Sequence, residues 1–336
     1  MRRVAQRRRV HPAVWLITVL GMTLASCSWF QPEGPPAEVI PERSALRVGV
    51  TKAIDIVPLR LAVDQGLFSR GGLRLELVEQ PNQERALEAL DNGDIEVAFA
   101  NNVTLFKAVA AGAALQLQGE AYISGPNTMA LVTLPGVGYD EPSANQAPVI
   151  AVDADDDLGE LTTRSRLATE GIDPERVTFT QLSFDEMMNA LSDHRVDAAW
   201  MTEPRISKAQ KEYGAKIVAD TARGAMLNFP MSSYAAHHKF ASANPKTFAL
   251  FRSLLGEAQR LAAETSVVRG VLPTYVGLDE TSSALVALGN YPTALNSVRL
   301  QRVADLMHNS GVLGERLDVR SIVPAQLLPG SPMPPG

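Results

Sequence analysis

Two stretches decide the fold: Ala89-Leu90-Asp91-Asn92-Gly93-Asp94-Ile95-Glu96-Val97-Ala98 and Ala190-Leu191-Ser192-Asp193-His194-Arg195-Val196-Asp197-Ala198-Ala199. Each reads as a helix end, a polar turn, an acidic strand start and a small apolar strand. They lie 101 residues apart in a chain of 336. Solenoids repeat three or more times at shorter period, so a single pair at this distance points to two similar lobes.

Working outward, the same strand–helix–strand order surrounds each copy. Upstream of the first come a strand at Leu46–Val50, a helix at Pro58–Phe68, an alternating strand at Leu73–Val78 and a helix at Gln83–Leu90 that stops at Asn92-Gly93, with a buried strand at Ile95–Ala100 after it. Asn-Gly directly after a periodic apolar run is a helix C-terminal signal. Around the second copy come strands at Val149–Val152, Val177–Leu182, Ala198–Met201 and Lys216–Ala219, with helices at Leu158–Thr169 and Phe184–Leu191. Alternating short apolar strands and helices specify α/β units with mainly parallel sheets.

The amino terminus has a different character. Arg2, Arg3, Arg7, Arg8 and Arg9 precede an apolar run over Ala13–Ala25, and Leu24-Ala25-Ser26-Cys27 follows. A basic start, about a dozen apolar residues and a small-residue cleavage site form an export signal, too short to span a bilayer. The four residues ending at Cys27 resemble the lipobox of bacterial lipoproteins, which implies that the Cys27 sulfur is acylated. Two or three acyl chains then hold a domain on a membrane, at about 0.8 kcal/mol per buried CH₂. Cys27 is the only cysteine, so neither a disulfide framework nor a thiolate metal cluster can form.

Prolines at 32, 35, 36 and 41 make the following segment a stiff tether, and the Pro/Gly-rich end is expected to be disordered. The expected organisation is signal 1–26, tether 27–44, first lobe 45–130 and 235–325, second lobe 131–234, and tail 326–336. The formal net charge of −6 becomes −11 once residues 1–26, with five arginines and no lysine or acid, are removed. Such a chain, without a basic run, is no nucleic-acid binder.

Ala62-Val63-Asp64-Gln65-Gly66-Leu67-Phe68, continuing through Gly71-Gly72-Leu73 to Leu77, resembles the "A-x-D-x-G-L-F" signature of the sulfonate/nitrate/taurine type of solute-binding protein, which includes thiamine-pyrimidine binders. The resemblance runs on through Ala89–Ala98, Gly171-Ile172-Asp173-Pro174-Glu175-Arg176-Val177 and Glu203-Pro204, and covers most of residues 46–310. It implies an α/β clamshell of the periplasmic-binding-protein type II: two lobes joined by two crossing segments, here near Thr128–Leu134 and Phe229–Ala236. It further implies a monomer without cofactor, located outside the cytoplasm, that hands a small molecule to an ABC permease and its ATPase. The family's lysine-bearing "D-L-x-G-K" turn is absent, since Tyr139–Pro148 stands in its place. The ligand is therefore not copied from the best-known members.

In open α/β sheets, ligands sit beyond the carboxyl ends of the strands. That rule selects Thr51 and Asp55 with Lys52, Asn101 and Asn102, Tyr122, Asp153 and Asp155, Trp200 and Glu203, and Asn228-Phe229 at the return crossing. Asn101 and Asn102 can donate and accept, or cap the next helix. Tyr122 and Trp200 offer flat apolar faces, and Glu203 an acceptor. The loop Asp153-Ala154-Asp155-Asp156-Asp157 carries four carboxylates, and Asp157-Leu158-Gly159-Glu160 fits a capping box that occupies the helix N–H groups an anion needs. A close like-charge pair costs about 4 kcal/mol at effective dielectric 20. A simple sulfonate is disfavoured unless Lys52, Arg164 or Arg205 offsets the acids. The expected ligand is neutral or amine-bearing, a pyrimidine-like heterocycle among the options.

An enzyme is not expected. The histidines His194, His237, His238 and His308 are scattered, His237-His238 point to opposite faces of a strand, and neither a His-Glu-x-x-His, a Gly-x-Ser-x-Gly nor a phosphate loop occurs. The related pyrimidine synthase needs a cysteine-rich motif that a single Cys27 does not supply. A ligand-sensing receptor domain uses the same clamshell and stays open as an alternative.

Overall fold

The two repeat stretches take equivalent places in two five-stranded sheets. The computed structural model describes residues 40–153 and 158–325. The chain divides into units Met1–Ile40 and Pro41–Gly336; all that follows concerns the second. The expected export signal, Cys27, most of the tether, Asp155 and the tail 326–336 lie outside the described residues.

The first lobe opens with β1 (Ala45–Val50), α1 (Val57–Asp64), α2 (Leu67–Arg70), β2 (Arg74–Glu79), α3 (Gln83–Asp91), β3 (Val97–Asn101), α4 (Asn102–Ala110) and β4 (Leu115–Ile123). Then follow β5 (Met129–Thr133), β6 (Val149–Val152), α5 (Leu158–Ala168), β7 (Thr178–Gln181), α6 (Phe184–Ser192), β8 (Ala198–Thr202), α7 (Arg205–Tyr213) and β9 (Lys216–Asp220). The chain returns in β10 (Pro230–His237) and ends with α8 (His238–Ala243), α9 (Pro245–Leu261), α10 (Thr265–Val276), α11 (Glu280–Leu285) and α12 (Ser297–Asn309).

The strand orders are β2-β1-β3-β10-β4 and β7-β6-β8-β5-β9. In each sheet the first three strands run parallel and the fourth is antiparallel to both neighbours. The fourth strand is in both cases the one next to a crossing. The segments 128–134 and 229–236, expected to cross, are thus mostly strand: β5 belongs wholly to the second sheet and β10 wholly to the first. The crossings themselves are short, near 124–128 and 221–229. The reason is that Met129–Thr133 and Pro230–Ala236 are continuous apolar or small runs, buried throughout, which suit central strands.

The repeat is reproduced bond by bond. After α3, the Asp94 amide donates to the Ala89 carbonyl at 2.8 Å, and after α6 the Arg195 amide donates to Ala190 at 2.8 Å. Gly93 and His194 both take positive φ, +75° and +54°. The acidic strand starts also match: Glu96 accepts from the Arg47 amide and Asp197 from the Val149 amide, each at 2.7 Å. The carboxylates therefore set the spacing of β3 and β8 against β1 and β6.

The helix expected at 58–68 is broken at Gly66, whose φ of +69° ends α1 and starts α2. Helix starts are capped by Asn82, Asn101 and Asn296, and α6 by the Ser183–Glu186 capping box. Asp157 lies outside the described residues. The first sheet packs on α1 and α9 through Val48, Phe68, Phe99, Tyr234 and Phe251, and the second on α6 and α7 through Val132, Met187, Leu191 and Ile206. At the chain's entry, Glu42 accepts from the Lys246 and Thr247 amides, which ties the end of the expected tether to the start of α9.

Candidate ligand-binding site

A cavity of about 330 Å³ lies where the carboxyl ends of β1, β3, β6 and β8 meet. That is the position helix starts and strand ends prescribe in open α/β sheets. Thr51, Asp55, Asn101, Tyr122, Asp153, Trp200 and Glu203 all line it. Three other expected residues stand elsewhere. Asn102 is fully buried and donates from Nδ2 to the Pro230 carbonyl at 2.9 Å, fixing the start of β10. Phe229 is buried and bonded to Ser124, so it ties one crossing to the other. Asn228 is exposed at φ +50° in the turn before it. Asp155 is outside the described residues.

Among the carboxylates of the cavity, Asp55 has the least help from its surroundings. One carboxylate oxygen accepts from the Ser232 hydroxyl at 2.5 Å. Burial pushes its pKa up to about 6, against which the hydrogen bonds from Ser232 and its own backbone are too weak. Cations do line the cavity, but Lys52 is exposed and Arg205 forms an ion pair with Asp153. Neither enters the balance at Asp55.

The neighbouring groups are spoken for in part. Tyr122 accepts a hydrogen bond at its hydroxyl from the Gly289 amide, packs against Tyr291 with ring centroids 5.2 Å apart and planes tilted by 51°, and has its acidity suppressed by burial and by the Asp55 charge. Trp200 donates from its indole to Thr221 at 3.1 Å. It lies over Gly159, where a Cβ would stand 2.9 Å from the ring. Both aromatics line the cavity while each has a polar atom engaged in the protein. Glu203 accepts from Ser207 and from the Ala287 amide at 3.0 Å. Burial raises its pKa, and those bonds partly oppose the rise. Its carboxylate is used to join α7 to the 286–290 loop.

Asn101 is different. Its Oδ1 caps α4 through the Thr104 amide at 2.7 Å, while its Nδ2 is buried with no partner. An unsatisfied buried donor costs about 1–3 kcal/mol, so this amide is a vacancy for an acceptor. Sequence reading missed Ser232, Thr128, Gln83 and Met231 as lining residues. For Ser232 a signal existed, because Ser232-Ser233 is a polar pair inside the apolar run of β10. The others come from positions that only the tertiary fold brings to the cavity.

Among the described residues no group of three or more His, Cys, Asp or Glu is placed to hold a metal, and no helix is long and apolar enough to cross a membrane.

Comparison with known structures supports the architecture. The chain is similar to the alkanesulfonate-binding protein SsuA from Xanthomonas axonopodis pv. citri bound to MOPS, at 23% identity and TM-score 0.69 over 84% of this chain and 98% of that one. It is similar to the periplasmic aliphatic sulphonate-binding protein SsuA from Escherichia coli, at 22% identity and TM-score 0.69 over 85% and 99%. The periplasmic nitrate-binding protein NrtA from Synechocystis PCC 6803 gives 14% identity and TM-score 0.68 over 87% and 93%. The fold is therefore the two-lobed α/β clamshell of periplasmic binding proteins, as the resemblance implied. No curated protein matches the chain in sequence. The family model that does match spans residues 40–271, so the chain belongs to the NMT1-like family.

Proposed function

We propose that this protein is the extracytoplasmic, lipid-anchored solute-binding component of an ABC importer, and that it captures a small amine-bearing or neutral heterocyclic molecule between its lobes. The observation that carries the ligand class is Asp55: a half-buried carboxylate lining the cavity with a single side-chain donor and no cation to balance it. A protonated amine placed there supplies the missing charge, the Asn101 Nδ2 donates to a ring nitrogen or carbonyl, and the faces of Tyr122 and Trp200 enclose a flat ring. The structural neighbours include binders of sulfonate and nitrate. A bare sulfonate in this cavity meets Asp55 and Glu203, and the guanidinium best able to receive it, Arg205, is already paired with Asp153. MOPS, bound by one neighbour, carries an amine as well as a sulfonate.

No chemical step is involved. Ligand that bridges Asp55 and Asn101 on one lobe with Trp200 on the other stabilises the closed arrangement by its differential affinity for it. The closed form then docks on a permease. A sensor domain would use the same cavity, and its partner would be a signalling receptor instead of a permease.

Two experiments test this reading. Small molecules copurifying with the native protein, identified by mass spectrometry and added back, should shrink the radius of gyration seen by X-ray scattering; no compaction with any tight ligand would contradict the closing mechanism. For the anchor, the wild-type chain should incorporate radiolabelled palmitate when expressed in bacteria, and the Cys27→Ser variant should not. Equal labelling of both would remove the anchor.

A further inference from the structure

Strand β4 forms the outer edge of the first sheet and presents Gln116, Gln118 and Glu120, each with polar work to do. Glu120 is fully used: buried, it accepts from Arg299 through two nitrogens at 2.8 and 2.9 Å and from the Asn296 amide at 2.7 Å. Gln118 donates to Gln116 and accepts, at 2.7 Å, from Arg252 on α9. That amide oxygen is the sole polar partner of Arg252 among the described residues. The two arginines meet the same strand, yet one has a carboxylate and the other has none.

Arg252 lines two further cavities, of about 420 and 430 Å³, that share no lining residue with the one described above. The first is walled by Arg252, His238, Arg320, Ser242, Ser321 and Gln116, among others, and by no carboxylate at all. Within this wall Arg320 is spent on Asp318, which it meets through Nε at 3.0 Å and a terminal nitrogen at 2.8 Å, so Arg252 is the guanidinium there that faces no acid. A half-buried guanidinium with only a neutral partner is an expensive arrangement. Consistent with that, burial pulls the Arg252 pKa down to about 10.

We propose that Arg252 is the centre of a second ligand site, distinct from the solute cavity, which takes a phosphate group. A planar guanidinium with one edge held by Gln118 keeps its remaining N–H donors for a bidentate contact with a tetrahedral oxyanion, which a point-charge ammonium cannot make. His238 and the Ser242 hydroxyl stand on the same wall, whereas Arg320 is paired with Asp318 and the Ser321 hydroxyl donates to the Asp318 carbonyl. The site adjoins the point where the folded unit begins, since Glu42 and Arg43 bond to Thr247 one residue before Phe248 of the cavity wall. Free inorganic phosphate and the phosphodiester of an anionic lipid headgroup are the two sources of such a group.

The test is calorimetric titration of the full chain with inorganic phosphate and, separately, with glycerophosphoglycerol, the water-soluble headgroup of an anionic lipid. At least one should bind, and Arg252→Gln should weaken it roughly tenfold or more while Arg205→Gln leaves it unchanged. Which of the two binds tells the source. Arg252→Lys, which keeps the charge, should fall between wild type and Arg252→Gln. Independently of any variant's folding, phosphate should shift the side-chain amide resonances of Gln118 in the wild-type protein. Absence of binding by both probes, binding unaffected in folded Arg252→Gln, or loss only in Arg205→Gln would each overturn the proposal.

Discussion

Asp55 is where residue-scale chemistry exposes function most clearly. Its folded pKa of about 6 stands roughly two units above the ordinary carboxylate value of 3.8. Since the folded pKa is raised, ionised Asp55 opposes folding. The penalty is absent below about pH 4, grows between 4 and 6, and is complete above 6 at roughly 3 kcal/mol as an upper figure. Asp55→Asn keeps the shape and the Ser232 contact while removing the charge. Urea unfolding of the ligand-free protein at pH 8 should therefore show Asp55→Asn more stable than wild type by about 1–3 kcal/mol, with the difference gone at pH 4. Equal stability at both pH values would mean the carboxylate carries no strain. A destabilising carboxylate retained inside a cavity is the mark of a site shaped for a ligand instead of for the fold. Asn101, with its unpartnered Nδ2, makes the same case on a smaller scale.

At the scale of elements, the sequence exposed what is periodic or repeated and hid what depends on long-range contact. The turns at 91–95 and 192–196 were legible because their chemistry is local: helix end, left-handed residue, acidic strand start. The structure adds that His194 occupies the left-handed position that Gly93 fills in the other copy, at +54° and +75°. Histidine has a side-chain clash there that glycine lacks. His194→Gly should raise stability by about 0.5–1 kcal/mol, and Gly93→Ala should lower it by about 1 kcal/mol, both read from chemical denaturation midpoints. A loss on His194→Gly would show that the histidine side chain makes a contact outweighing the strain. The crossings were placed several residues off because β5 and β10 look like connectors in sequence order, and only their antiparallel insertion into the opposite sheets reveals them as strands. In the site, strand-end residues such as Thr51, Asp55 and Trp200 were legible from topology. Asn102 and Phe229 were not separable from them, since whether a residue at a strand end faces the cavity or the core is set by register with β10 and by the Ser124 bond.

For the whole molecule, the proposed function has the two sheets, with their matching strand orders, enclose a solute in the cavity at their shared carboxyl ends. The charge inside that cavity decides which solute. With an amine ligand, binding requires ionised Asp55, so affinity should be level above pH 6 and fall about tenfold per pH unit below it. An anionic ligand reverses the sign, because protonating Asp55 removes a repulsion and tightens binding as pH falls. The most direct measurement is therefore calorimetric titration at pH 5 and pH 7.5 with an aminopyrimidine, an alkanesulfonate and nitrate. The account predicts that the amine-bearing heterocycle binds, more tightly at pH 7.5, and loses at least tenfold in Asp55→Asn. Tight binding of ethanesulfonate or nitrate, stronger at pH 5 and indifferent to amines, would contradict it.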